Sequence, residues 1–391
     1  MPIPFLGFGA VIGVFFALNI RGEFFHLYRK VAFYFAMIIS LVLLSNWINH
    51  QSLSYEEVKR LAALVCSYLY FVFFHQLSFS KGKFSPKVKT LLLVLVVGEL
   101  LASIVFWELP QSIFFSSYSW FKFAGSYPLI MLFLIVFASS RIGHRAGMNL
   151  AFGLLLFVLT YGQGAKSTAL LALLVCLLRY RSLSTNGREQ LKNSKSQRRS
   201  RLGLVIFIPV FLVLYIFQRL VELGLFGSKL QETATQYGDS LLSSLILARP
   251  EIPFSLQVVQ QMPFIGFGTL QDPLNHLHLE ILSSSVMSYG SQKFLLHRIF
   301  DEGFNLHSWG FDLLARGGFL MAIPLFSYLA LLFRNTINSK LLVEYPSLYF
   351  VNLTCIQDFF FSPYSWFVTI QVAFSIYAYF IFQTGLKNDQ K

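Results

Sequence analysis

Four side chains stand where they could do chemistry on an anionic substrate: Lys166, Arg249, His307 and Arg316. Arg249 lies in "LILARPEIPF", after an apolar stretch and ahead of two prolines. Its guanidinium is a planar fork that matches two phosphate oxygens at once. Lys166 follows "YGQGA" between two short apolar runs. A lysine there either snorkels to a membrane interface or points into a cavity as an anion ligand. His307 opens "HSWGFDLLARGGF", and an imidazole titrates near neutrality and can take a proton from a hydroxyl. Asp312 and Arg316 follow at i,i+4, the spacing at which helical side chains pair. Arg316 is therefore expected either as the partner of Asp312, anchoring the start of a helix, or, by its position alone, as a further anion ligand.

Other constellations carry less. "HLHLE" puts His276, His278 and Glu280 on one face if the segment is a strand. Three such ligands with an open position would make a divalent-metal site, but the plainer reading is an interfacial polar stripe, and no metal is expected. In "PFIGFGTL", Gly266 and Gly268 form a lone GxG without a strand–turn–helix unit around it, so no dinucleotide is expected. Glycines there are expected to permit a tight turn on the membrane surface. Glu99 in "LLLVLVVGELLASIVFW" and Asp358 in "CIQDFFF" are acids inside apolar runs, where such groups either work or tie helices together by hydrogen bonds. Cys66, Cys176 and Cys355 fall in apolar runs without paired spacing, which gives neither a disulfide framework nor a thiolate site.

The elements that must position these residues are membrane helices. Hydrophobic residues make up 55% of the 391 and charged residues only 13%, against about 25% charged in a soluble domain; the mean hydropathy is +0.60. Taking roughly 20 apolar residues per span, the chain reads as an all-α polytopic membrane protein of about 11 transmembrane helices (10–12). The runs are about 3–20, 31–48, 61–79, 90–107, 124–140, 148–162, 166–180, 202–221, 311–333, 342–360 and 364–385. The sixth and seventh, parted only by "YGQGAKS", also read as one broken hairpin. The net charge of +13 does not point to nucleic acid, because the basic residues lie in short patches between apolar runs. Arg21, Arg29, Lys30, Lys81, Lys83, Lys87, Lys89, Arg141, Arg145, the basic loop 179–201, Arg334, Lys340, Lys387 and Lys391 all fall on one side. By the positive-inside rule that side is cytoplasmic, so the N-terminus is expected outside and the C-terminus inside. Without a basic n-region and cleavage site, the first run is expected to be a mature span. The basic loop suits disorder or anionic lipid headgroups, and Ser54 with Glu57 has capping-box spacing for the helix that follows.

Three parts result: spans 1–8 in 1–221, an outward segment 222–310, and spans 9–11 with a cytoplasmic tail in 311–391. The outward segment is too long for a simple connection and holds His276, His278, His297 and His307 with Arg249 and Arg298. No internal repeat is visible, which counts against a transporter built from inverted halves.

In this order the features resemble the O-antigen polymerase/O-antigen ligase family. Three stretches carry the resemblance: "GAKSTALLALLVCLL", "ARPEIPFSLQVVQQMPFIGFG" and "LHSWGFDLLARGGFLMAIPLF", over roughly 150–335. The resemblance implies a GT-C-like helical bundle with short helices in its outward loop. It also implies a metal-independent membrane glycosyltransferase without cofactor, acting on polyprenyl (undecaprenyl) diphosphate-linked oligosaccharide at the outer face of the bacterial inner membrane. Lys166 and Arg249 would bind the diphosphate, with Arg249 also acting on the leaving group, and His307 would be the base on the acceptor hydroxyl. Arg316 matches no family residue and joins the diphosphate ligands from position alone. Lys166 stands where the family usually has Arg, Ala165 replaces a Ser, and Ser308 replaces an Asn. The reading is a polymerase of O-antigen or another surface polysaccharide. The alternatives are a ligase transferring glycan to lipid A-core, a polysaccharide transporter or flippase, and a receptor or assembly scaffold. Expected partners are the lipid-linked donor, a glycan acceptor, anionic lipids at the cytoplasmic basic loops and a chain-length regulator or other polysaccharide-assembly protein.

Overall fold

The computed structural model describes residues 24–49, 53, 55–80, 83–84, parts of 90–101, 126–139, 145–162, 166–189, 259–260, 262–268, 308–361 and 366–388. These are helical apart from turns and one two-residue antiparallel ladder, β1 (Phe79–Ser80) with β2 (Lys83–Phe84). The helices are α1 (Phe25–Ile48), α2 (Tyr55–Ser78), α3 (Ser126–Ser139), α4 (Ala146–Gly162), α5 (Lys166–Glu189), α6 (Trp309–Thr336), α7 (Ser339–Glu344), α8 (Pro346–Phe361) and α9 (Trp366–Asn388). Among the described residues, four stretches are long and apolar enough to cross a membrane: Phe25–Ile48, Val58–Gln76, Ser167–Ser184 and Trp309–Thr336. Ser126–Phe137, Ala146–Thr160 and Val368–Phe380 are apolar but shorter. The expected spans at 3–20 and 202–221 lie outside the described residues, and 90–107 is described only in part.

Two sequence expectations change. The run 342–360 is not one helix: Asn338 caps α7 by accepting from the Lys340 and Leu341 amides, and the chain breaks at Tyr345. α8 then restarts with Pro346 as its first residue, where a missing N–H costs nothing. The basic loop also starts later than expected, because α5 runs on through Glu189. Arg179, 1% exposed, explains part of this. It donates to Asn149 Oδ1 at 3.0 Å, and Asn149 Nδ2 donates to the Cys176 carbonyl at 2.7 Å. The start of α4 is thereby tied to the later turns of α5, so the two form an antiparallel hairpin.

α8 is the hub of the bundle and packs against α3, α5, α6, α7 and α9. Its Leu348, Tyr349, Phe350, Val351 and Cys355 are buried. Inside this apolar core α6, α8 and α9 share a polar bridge. Asn335 Nδ2 donates to Asn352 Oδ1 at 3.0 Å and to the Ser375 carbonyl at 2.9 Å, and Asn352 Nδ2 donates to the Leu332 carbonyl at 2.9 Å. Amides that satisfy one another across helices fix register where apolar side chains alone would let helices slide. On the other flank α2 packs on α9, with Phe74 and Phe374 stacked at a centroid distance of 4.4 Å. α1 packs against α2 and α6, which brings the C-terminal turn of α1 beside the N-terminal half of α6.

Candidate functional site

The N-terminal half of α6 organises one end of the bundle. Ser308 caps it: its hydroxyl accepts from the Phe311 amide at 3.3 Å and donates to the Phe359 carbonyl at 2.8 Å, at the C-terminal end of α8. Trp309 packs edge-on against Phe359, ring centroids 4.8 Å apart. A single hydroxyl thus starts one helix and fastens it to the end of another. This is the position where the sequence resemblance expects Asn, and a serine is equally able to cap a helix.

One turn on, Asp312 Oδ2 accepts from Arg316 Nε at 2.8 Å. Both side chains are buried, 8% and 3% exposed. The i,i+4 spacing read from the sequence therefore does make an ion pair. Of the two roles left open for Arg316, it is the anchoring one that the described contacts supply. A second guanidinium approaches the same oxygen: Arg60 of α2, at 3.8 Å and 22% exposed. At an effective dielectric near 20 two charges so spaced attract by about 4 kcal/mol before desolvation is counted. Asp312 Oδ1 is buried without a hydrogen-bond partner.

After Arg316 the helix breaks. Gly318 has φ +62° and ψ −157°, a conformation confined almost entirely to glycine. An unbroken helix would join the Phe319 amide to the Ala315 carbonyl and the Leu320 amide to the Arg316 carbonyl. Here all four groups bond to the turn Met262–Gly268 instead. The amides of Phe267 and Gly268 donate to the carbonyls of Ala315 and Arg316, both at 3.0 Å. The amides of Phe319 and Leu320 donate to the carbonyls of Pro263 and Phe264, at 2.6 and 3.3 Å. The turn substitutes for the missing helical bonds, as irregular backbone among membrane helices must if no polar group is to be orphaned.

The glycines are what let two backbones come this close. A Cβ on Gly266 (φ +69°) would lie 2.5 Å from the Ala315 oxygen, and one on Gly318 would lie 2.6 Å from the Ile265 nitrogen. Gly268 (φ +68°) leaves room for Asn46 on its other side. The end of α1 closes the assembly: Ser45 Oγ and Asn49 Nδ2 both donate to the Gly266 carbonyl, at 3.2 and 3.0 Å. The expected tight turn is thus present: its glycine end, Gly266–Gly268, is buried between helices, while Met262 and Phe264 are exposed.

Of the sequence-derived site residues, Arg316 sits in this assembly and Lys166 is the first residue of α5, its side chain outside the described residues. Arg249 and His307 lie outside the described residues, as do His276, His278, Glu280 and Glu99; His307 immediately precedes the cap Ser308 in sequence. Asp358 is half-buried in the last turn of α8. Sequence reasoning missed Arg60, Ser45 and Asn49. The last two left a faint signal, a polar pair at i,i+4 spacing ending an apolar run in "LLSNWIN". No protein-family model, curated protein or solved structure matches this chain.

Proposed function

We propose that the chain is a multi-pass membrane glycosyltransferase that polymerises lipid diphosphate-linked oligosaccharide units at the outer face of the bacterial inner membrane. One observation carries the reading. The glycine turn that follows Arg249 and the helix that follows His307, two of the three stretches behind the family resemblance, are a single unit joined backbone to backbone by four hydrogen bonds. A device this demanding of glycine, serving no chemistry of its own, suits a platform that holds the chain on either side of it in register. Arg249 lies upstream of the turn and His307 one residue ahead of the cap.

In this reading the bundle has about 11 spans, N-terminus outside and C-terminus inside. The end bearing Ser308, Asp312 and the glycine turn faces outward. His307 takes the proton of the acceptor sugar hydroxyl as that oxygen attacks the anomeric carbon of the donor. The anomeric carbon–oxygen bond to the diphosphate breaks, its electron pair stays on the diphosphate, and configuration inverts. Arg249 and Lys166 hold the diphosphate and offset the charge that grows on it. Asp312 and Arg316 anchor the helix start. The long external segment supplies room for a glycan acceptor.

The test is removal of the gene from its host, with surface polysaccharide examined by gel. Loss of a polymerase leaves single repeat units attached to their final acceptor. Absence of all attached glycan would identify a ligase instead, and unchanged polysaccharide would overturn the proposal.

A further inference from the structure

We propose that Trp309, at the foot of the first arm of α6, is a specificity-determining residue. It closes the space beside the reacting groups to water, so that the donor glycan passes to a sugar hydroxyl and not to water. The inference rests on the reading above for the reaction, while the barrier itself stands on the packing of α6 against α8.

Trp309 and Tyr328 stand on opposite sides of the break at Gly318. In a continuous helix they would be about 28 Å apart, at 1.5 Å per residue. Their ring centroids are 5.7 Å apart. The break therefore turns the first arm of α6, 309–317, back along the second, 319–336. The foot of that arm lies inside the bundle, about 14 Å from the glycine apex, against the last turns of α8. Trp309 is 3% exposed there and also packs edge-on against Phe359 at 4.8 Å. Gly310 brings the backbone of the arm onto the same ring, since a Cβ there would lie 2.5 Å from a Phe359 carbon. Phe311 adds a ring contact with Phe360 at 6.3 Å. One turn before Phe359, on the same face of α8, is the buried thiol of Cys355. The aromatic rings thus form a layer between the foot of the arm and the interior that holds Cys355.

His307 precedes Trp309 by two residues, so no more than about 7 Å of backbone separates them. A base placed to deprotonate a sugar hydroxyl would deprotonate water as readily. The water oxygen would then bond to the anomeric carbon, and the bond to the diphosphate would break with its electron pair left on the diphosphate. His307 would take the proton, and a free reducing glycan would be lost from the chain. Excluding water from the site is what suppresses this side reaction. Trp309 is the residue whose loss would admit it. An apolar hole stays dry, but a water with two or more polar partners is retained. Around Trp309 the Ser308 hydroxyl, the Phe359 carbonyl and the Tyr328 hydroxyl offer such partners.

Two readouts test the barrier and the reaction separately, both on the full-length protein in liposomes. With a synthetic polyprenyl diphosphate-linked oligosaccharide, the ratio of free reducing glycan to lengthened lipid-linked glycan is measured. That ratio does not depend on how much of a variant folds. Trp309→Ala should raise it by about 10-fold or more, and Trp309→Phe, which keeps a ring, by less than about threefold. Without substrate, alkylation of Cys355 by a water-soluble thiol reagent, located by peptide mass spectrometry, reads whether water passes the layer. It should accelerate in Trp309→Ala and not in Trp309→Phe, with Cys66 and Cys176 labelled no faster in either. Cys355 as slow in Trp309→Ala as in the parent protein would overturn the proposal, and so would equal acceleration at all three cysteines. Selective labelling of Cys355 with an unchanged product ratio would also overturn it, leaving the transferase reading in place. Selective labelling in a protein that neither transfers nor hydrolyses the donor would keep the barrier and sink the proposed function.

Discussion

Gly318→Ala isolates the join between the glycine turn and α6. The substitution has two costs. A Cβ at φ +62° is strained, by about 1–3 kcal/mol, and it would lie 2.6 Å from both Ile265 N and Phe264 C. Relief requires the turn to leave. α6 can then close into a continuous helix and regain two bonds, Phe319 to Ala315 and Leu320 to Arg316, but four bonds to the turn are lost. The net loss is two hydrogen bonds, about 2 kcal/mol at roughly 1 kcal/mol each; closing the helix relieves the strain, so the two costs are alternatives and the substitution should cost about 2–3 kcal/mol. The chain carries its own reporter, since Cys66, Cys176 and Cys355 are buried thiols outside any disulfide. A thiol-reactive dye added during a thermal ramp in detergent reads the unfolding that exposes them. The midpoint should fall by about 2–4 °C, and amide exchange at Phe267 and Gly268 should accelerate. If Gly318→Ala melts with the parent protein and those amides stay protected, the turn does not hold the helix break, and the platform argument fails with it.

Asp312→Asn should be among the most damaging single changes outside the apolar core. It leaves the buried Arg316 without its carboxylate, at about 3–5 kcal/mol; adding Arg316→Met should restore much of the melting temperature, and a double-mutant cycle in detergent checks this. Ser308→Ala removes both the cap and the bond to Phe359, and should lower stability by about 1–2 kcal/mol, whereas Ser308→Asn, the residue the resemblance expects there, should stay close to the parent in the same dye assay. Asn335→Leu leaves the Asn352 carbonyl oxygen without the donor it has here and should cost about 1–2 kcal/mol, read as a lower melting temperature with transferase activity kept.

What could be read from the sequence followed locality. Apolar runs of the right length predicted the helices, because burying a hydrophobic stretch needs no knowledge of its partner. The Asp312–Arg316 pair was legible for the same reason, since i,i+4 geometry is set within one helix. The glycines of "PFIGFG" announced a turn, whereas Gly317–Gly318 were read straight through as part of the run 311–333. That the one completes the other was not legible. Nothing in the local pattern says that four backbone groups freed in a helix will be met by a turn far upstream. Arg60 was hidden in the same way: in sequence it is one basic residue near the start of a helix, and only the tertiary arrangement, which sets it 3.8 Å from Asp312, gives it a carboxylate shared with Arg316. Pro346 shows the opposite failure. The run 342–360 was read as one span across Glu344–Ser347, while the break at Tyr345 was set by an Asn cap before it and a proline after it.

The most direct test of the central claim is transfer itself. The purified protein is reconstituted in liposomes with a synthetic polyprenyl diphosphate-linked oligosaccharide, and both glycan length and released polyprenyl diphosphate are measured, for the parent protein and for His307→Ala inserted at equal level. The account predicts longer lipid-linked glycans with release of one polyprenyl diphosphate per unit added, slowed about 10²–10⁴-fold in His307→Ala, the usual contribution of a positioned base. Full activity in His307→Ala, or no transfer by a correctly folded parent protein, would contradict it.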